Sequence, residues 1–272
     1  MCQRSKGLFM FTLGVTQFSP VRYDVAANVA AIERLLRGVE ADLLVLPELA
    51  NSGYLYASPE ALSPFSEPGD GSGLFLSALR SLAGRTGGVI VAGFSELAAG
   101  GLYNSAAAVN AAGVLQVYRK THLFAGEKRL FLPGDTGFRV FEHGGARIGM
   151  MVCFDWFFPE SAHTLALRGA EIIAHPSNLV LPYCQTAMFA RCLENRVFAA
   201  TTNRYGTEEL ADQSLTFTGA SQIMTPRGER LSQAPIAGDY VAVVEIDPVA
   251  ADDKHVTAAN DLFADRRPEM YA

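Results

Sequence analysis

Apolar runs of strand length recur along this chain, and several are separated by segments with a helical period. That alternation constrains the fold most, because strands buried on both faces need helices to cover them. The run "FTLGVTQFS" (11–19) precedes "VAANVAAIERLLRG" (25–38), where Val25, Val29, Ile32 and Leu36 share one helical face. "ADLLVLPE" (41–48) is continuous and bounded by Pro47, and "SGLFLSALRSLAGRTG" (72–87) predicts a second helix closed by glycines. Strands follow at 88–94, 103–110 and 113–120, the last two joined by "NAAG" as a hairpin. The pattern resumes with strand 146–154, helix 159–169, strand 171–177, helix 183–198 and strand 198–204. "ASQIMTP" and "YVAVVEID" flank the turn signal "PRGE" and read as closing strands. The expectation is a mixed sheet with helices packed outside. No Pro/Gly/Ser-rich linker, repeat or low-complexity segment divides residues 1–272, so one domain is expected, with a more polar tail over 248–272.

Composition narrows the function classes. Hydrophobic residues make up 49% and charged residues only 18%, which supports a sizeable core and argues against wholesale disorder. The net charge is −6 and no basic run exceeds two residues, so nucleic-acid and membrane-surface roles have little electrostatic support. No segment is long enough to span a bilayer. Arg4 and Lys6 before "GLFMFTLGV" imitate a signal peptide, but no small-residue cleavage site follows and cleavage would remove the first strand.

The four cysteines are Cys2, Cys153, Cys184 and Cys192. Cys184 and Cys192 fall on one predicted helix, where their Cα atoms would stand about 12 Å apart, beyond disulfide reach. Reduced thiols and a cytoplasmic setting are inferred. No Cys/His cluster has metal-ligand spacing.

Three strands end on reactive groups: "DLLVLPE" on Glu48, "LQVYRK" on Lys120 and "IGMMVC" on Cys153. In open α/β sheets, ligand sites gather outside strand carboxyl ends. A carboxylate, a cation and a thiol form a sufficient set for covalent catalysis: the base takes the thiol proton and the cation holds a developing oxyanion. Read singly, each has a plain alternative. A strand-end cysteine can simply pack, a glutamate after Leu-Pro can cap or pair, and Lys120 beside Arg119 can be solvated. After the cysteine, Pro159 and Glu160 suit the first turn of a helix, while Asp155 and Trp156 shape the loop or touch substrate.

The strings "LLVLPELANSGY", "YRKTHLFAGEKRLFLPGD" and "GMMVCFDWFFPESAHTLALRGA" together closely resemble the nitrilase superfamily of carbon–nitrogen hydrolases. The resemblance runs from "GVTQFSP" to the "NDLFADRRPEMY" tail. It implies a Glu–Lys–Cys triad at Glu48, Lys120 and Cys153, a second glutamate at Glu127 that orients the lysine, and the Phe154 N–H as an oxyanion donor. It further implies a four-layer α-β-β-α sandwich, pairing through a helical face that includes "MFARCLENRVF" (188–198) into an eight-layer homodimer or higher homo-oligomer. The tail would reach across to the partner, and neither metal nor organic cofactor is needed.

The resemblance also sets the substrate choices. "CFDW" is closer to amidase-type branches than to Cys-Trp-Glu, which makes short aliphatic amides the first choice. "CFDWFFPESA" also resembles an archaeal nitrilase subgroup, which keeps small aliphatic nitriles and dinitriles as the alternative. Carbamoyl substrates are a third option if Arg191 or Arg204 can hold a substrate carboxylate. Asn178 and Tyr54 are implied near the pocket, and turn formation or loop packing would equally explain them. Cys184 and Cys192 read as structural. A non-catalytic interaction module and a thiol redox protein are the non-hydrolase readings. The intact trio argues against the first, and the lack of a Cys-x-x-Cys partner for Cys153 against the second.

Overall fold

The computed structural model describes residues 10–271. Strand β1 (Phe11–Gln17) is buried along almost its whole length, as its unbroken apolar run requires. Asp24 caps helix α1 (Val25–Leu35) by accepting from the Ala27 N–H at 2.8 Å, and Ile32 and Leu36 bury the predicted face. Strand β2 spans only Leu43–Val45, yet its pairing continues: Leu46 N–H bonds the Val91 carbonyl and Pro47 accepts from Gly93. The short helix α2 (Pro59–Leu62) precedes α3 (Leu74–Thr86), which Gly87 ends in a left-handed conformation. Strands β3 (Val89–Ala98), β4 (Gly101–Asn110) and β5 (Gly113–Arg119) form a meander. The "NAAG" hairpin forms as expected, with the Asn110 side chain accepting from Ala112 and Gly113 N–H.

Beyond the one-turn helix α4 (Glu127–Leu130), hairpin β6 (Val140–His143) and β7 (Ala146–Met150) leads into a 3₁₀ turn over Cys153–Phe157. Helix α5 (Pro159–Leu167) has Pro159 in its first turn, and strand β8 (Ile172–Ser177) follows. Helix α6 (Cys184–Asn195) stops three residues short of the expected 198, because Arg196 turns left-handed with φ 49°. Next come β9 (Phe198–Asn203), hairpin β10 (Tyr205–Leu210) and β11 (Gln213–Thr218), then β12 (Gln222–Met224), β13 (Arg230–Gln233) and β14 (Tyr240–Ile246). The small pair β15 (His255–Thr257) and β16 (Asn260–Asp261) lies in the tail.

The strands build two six-stranded sheets, ordered β14-β1-β2-β3-β4-β5 and β13-β12-β9-β8-β7-β6. Each has three parallel strands at its centre and antiparallel strands outside them. Leu43 and Val45 point into the core shared with Ile148, Ile172 and Ala199 of the other sheet. Leu44 and Leu46 point the other way, onto Ile32 of α1 and Phe75, Leu76 and Leu79 of α3. Leu165 of α5 and Met188 and Cys192 of α6 cover the second sheet. The result is the expected α-β-β-α layering.

Two expectations need correction. "PRGE" does turn the chain, with Thr225 N–H bonding Glu229 O, but it joins β12 to β13 rather than to β14. The two closing strands lie in different sheets: β12 pairs with β9, and β14 crosses over to pair with β1. Early in the tail, Lys254 Nζ donates to the Asn195 and Arg196 carbonyls at the end of α6. Cys2, Arg4 and Lys6 lie outside the described residues. Among the described residues no helix is long and apolar enough to cross a membrane.

Candidate active site

The strand ends converge. Glu48 leaves the end of β2 beside Gly93 of β3, where any Cβ would overlap the Glu48 backbone. Lys120 follows β5 directly, its N–H bonding the Asn104 carbonyl at 2.8 Å and its own carbonyl accepting from Gly134 at 3.0 Å. Lys120 Nζ stands 2.7 Å from Glu48 Oε1 and 2.8 Å from both carboxylate oxygens of Glu127. All three side chains are buried. Asn104 Nδ2 donates to Glu48 Oε1 at 2.7 Å, and Glu48 Oε2 has no partner.

Cys153 comes from the other sheet, at the 3₁₀ turn after β7. Its φ is 42°, in the left-handed region that non-glycine residues avoid. Asp155 fixes this turn: its carboxylate accepts from the Val152 N–H at 2.9 Å, the Tyr118 hydroxyl at 2.7 Å and the His122 N–H at 3.1 Å. The reading of Asp155 as a loop-shaping residue therefore has its geometry. His175 supports the strained residue itself, with Nε2 3.0 Å from the Cys153 carbonyl. A carbonyl only accepts, so Nε2 carries the proton and Nδ1 accepts from Thr201.

Charge explains how these groups tolerate burial. Burial pushes the Cys153 thiol up, Glu48 pushes it further, and Lys120 opposes both, so the resting sulfur is protonated. Burial raises Glu48 as well, against the nearby ammonium of Lys120. Burial alone would depress Lys120, but the carboxylates of Glu127 and Glu48 outweigh it and hold the ammonium charged. The arrangement is a protonated thiol beside a base with one free oxygen and a permanent cation.

Of the remaining candidates, Tyr54 donates its hydroxyl to Glu127 Oε1 at 2.7 Å, so it meets the charged cluster directly. Phe154, Trp156 and Asn178 line, with Cys153, Phe124 and Leu179–Leu181, a small mouth with a cavity volume of about 20 Å³. The Asn178 backbone draws the Cys153 thiol down against its burial, while both Asn178 side-chain amide atoms are buried and unpartnered. Arg204 is 1% exposed and paired with Glu208, and Arg191 donates to Glu194 and the Trp156 carbonyl. Both match the ion-pair reading rather than a substrate clamp. Cys184 and Cys192 are buried, and burial pushes both thiols up, which suits structural residues. Asn104, His175 and Glu208 were not singled out from the sequence. The adjacent polar residues in "YNSAAAVN", inside an otherwise apolar strand, were the one signal available for Asn104.

A family model described as carbon-nitrogen hydrolase matches residues 12–254. The chain belongs to the carbon–nitrogen hydrolase family. A nitrilase of Pyrococcus abyssi is 43% identical over 265 residues, covering 96% of this chain and 99% of its own. A carbon-nitrogen hydrolase from Helicobacter pylori G27 superposes with a TM-score of 0.84 at 26% identity, covering 96% of this chain and 97% of its own. A mutant of the amidase from Nesterenkonia sp. AN1 aligns with a TM-score of 0.78 at 25% identity, covering 97% and 96%. That structure shows covalent addition of the acetamide moiety of fluoroacetamide at its active-site cysteine. The chain is a carbon–nitrogen hydrolase of the nitrilase superfamily, and the neighbours share its two-sheet α/β architecture.

Proposed function

We propose that the protein hydrolyses the C–N bond of small aliphatic amides to carboxylic acid and ammonia, with Cys153 as nucleophile. One observation carries the reading: Lys120 is clamped between Glu48 and Glu127 beside a buried thiol, and Glu48 keeps Oε2 unengaged. Glu48 takes the proton of Cys153 as Sγ bonds to the carbonyl carbon. The ammonium of Lys120 and the Phe154 N–H hold the tetrahedral oxyanion. The C–N bond then breaks, and Glu48 returns its proton to the departing ammonia. Water deprotonated by Glu48 attacks the thioester, the C–S bond breaks, Glu48 returns that proton to the Cys153 sulfur and the acid leaves. Glu127 keeps Lys120 charged and aimed.

The size and lining of the mouth support a short substrate. Its walls are apolar apart from Cys153 and Asn178, whose unpartnered carboxamide offers one donor and one acceptor. Nitriles are the second reading, favoured by the 43% identity to the P. abyssi nitrilase. The same triad would form a thioimidate that water must enter before ammonia leaves. Carbamoyl acids have less support, since Arg191 and Arg204 are both engaged.

Ammonia release from acetamide, propionamide, acetonitrile and malononitrile tests this. Fastest turnover of the amides is expected. Turnover of nitriles alone would establish the second reading, and no ammonia from any of them would overturn the hydrolase proposal. We further propose that the outer face of α5 and α6, where Leu167, Phe189 and Leu193 are exposed, pairs with a second copy. Light scattering should then give twice the chain mass, reduced to one chain by Leu193→Glu.

A further inference from the structure

The β10–β11 hairpin belongs to neither six-stranded sheet, yet it reaches the charged cluster. Glu208 of β10 is 7% exposed and faces inward. Its carboxylate accepts from the Tyr54 N–H at 3.1 Å and the Leu55 N–H at 2.8 Å, and it pairs with the buried guanidinium of Arg204. Arg204 in turn donates to Ser19 Oγ and the Pro20 carbonyl, which anchors the pair at the end of β1. Phe217 of β11 packs edge-on against the Tyr54 ring, with centroids 5.7 Å apart, and carries the Arg204 guanidinium on its face at 4.1 Å. The hairpin therefore grips Tyr54 by both backbone and ring.

Tyr54 needs that grip. Its loop leaves β2 through two left-handed residues, Leu49 (φ 47°) and Gly53 (φ 80°), and has no ladder of its own. The Tyr54 hydroxyl then donates to Glu127 Oε1, the same oxygen that accepts from Lys120 at 2.8 Å. A continuous set of contacts thus runs from Glu208 through Tyr54 and Glu127 to Lys120.

We propose that Glu208 is a positioning residue for the reaction, setting Glu127 and Lys120 by holding Tyr54. The mechanism assigns Glu208 no contact with substrate, so its effect must pass through the tyrosine. The inference rests on the hydrolase reading for its turnover readout, but not for its second readout, the reactivity of the sulfur.

A double-mutant cycle with Tyr54→Phe and Glu208→Gln tests it. One readout is kcat and KM on the fastest substrate. The other is the rate of Cys153 alkylation by iodoacetamide, with the adduct located by mass spectrometry. Each single change should lower kcat at least about tenfold with KM within about threefold, and should slow alkylation. The double variant should fall no more than about threefold below the worse single one, because both changes break the same relay. Losses that multiply independently, or wild-type rates in Glu208→Gln, would overturn the proposal. Glu209→Gln, at an exposed neighbour on the same strand, should leave both readouts unchanged; a matching loss there would mean general damage to the hairpin and would also overturn it. If Glu208→Gln does not fold, Glu208→Asp keeps the charge but withdraws it from the loop, and the same cycle applies. If the wild type hydrolyses nothing, the functional reading fails while the alkylation cycle still decides the relay.

Discussion

Cys153 holds a conformation that costs an L-residue about 1–2 kcal/mol, and the hydrogen bonds of Asp155 and His175 keep it there. The strain aims the sulfur out of the strand and leaves the following N–H groups at the start of a short helical turn. Cys153→Ala removes the proposed nucleophile and little else. It should lower turnover at least about a thousandfold while leaving the thermal midpoint nearly unchanged. Wild-type turnover in this variant would refute the assignment. Lys120→Ala differs, because it strands two buried carboxylates. A stability loss of about 3–5 kcal/mol should accompany the loss of activity, measurable by denaturant titration. Asn104 has a subtler effect, since its hydrogen bond opposes the burial that raises Glu48. Asn104→Leu should raise Glu48 further and move the acid limb of kcat/KM to higher pH. A limb that stays in place would show that Glu48 is not the titrating base.

At the scale of elements, the proposed catalytic groups depend on close backbone approach between strands. Gly93 lies against Glu48, and its N–H and carbonyl pair with Pro47 and Ala50 across that contact. A methyl group at Gly93 meets backbone atoms, which cannot rotate away as a side chain would. Gly93→Ala should therefore displace Glu48, cutting kcat/KM more than about tenfold and lowering stability by about 1–3 kcal/mol. Kinetics and thermal melts on the purified variant would check both. Gly134 plays the same part for Lys120, since a Cβ there would overlap the Arg119 and Lys120 carbonyls. The "FLPGD" string thus has a packing reason: its glycine lets the chain cross directly behind the lysine.

Across the whole molecule, the site lies between two sheets, one supplying Glu48 and Lys120 and the other Cys153. Burial there couples folding to pH. His175 is held neutral, its pKa lowered by burial to about 4 from the ordinary 6.5. The unfolded chain therefore binds a proton that the folded one refuses between those values. Stability is full above pH 6.5 and is lost as the pH falls toward 4, by roughly 3 kcal/mol for this group. Glu48 acts in the opposite sense, because its raised pKa makes the folded state the better proton binder in its own window. The informative quantity is thus the difference between wild type and His175→Gln. The variant should lose less stability between pH 6.5 and 4 in urea titrations, and equal slopes would remove His175 as a source.

Glu48, Lys120 and Cys153 stood out in the sequence as strand-end residues, but each read singly could pack, pair or be solvated, and only the three family-like strings joined them into one set. The layered α/β arrangement was legible, since a period of two or 3.6 is a local property. Asn104 and Glu208 were not, because their partners lie 56 and 154 residues away. Nor was the separation of β12 from β14, since a hairpin signal marks a turn without saying which strand completes it. The order of residues determined which groups could react and that they sat at strand ends. Only the packing of one sheet on the other decided that a base, a cation and a sulfur share a single water-poor space, where burial sets their protonation.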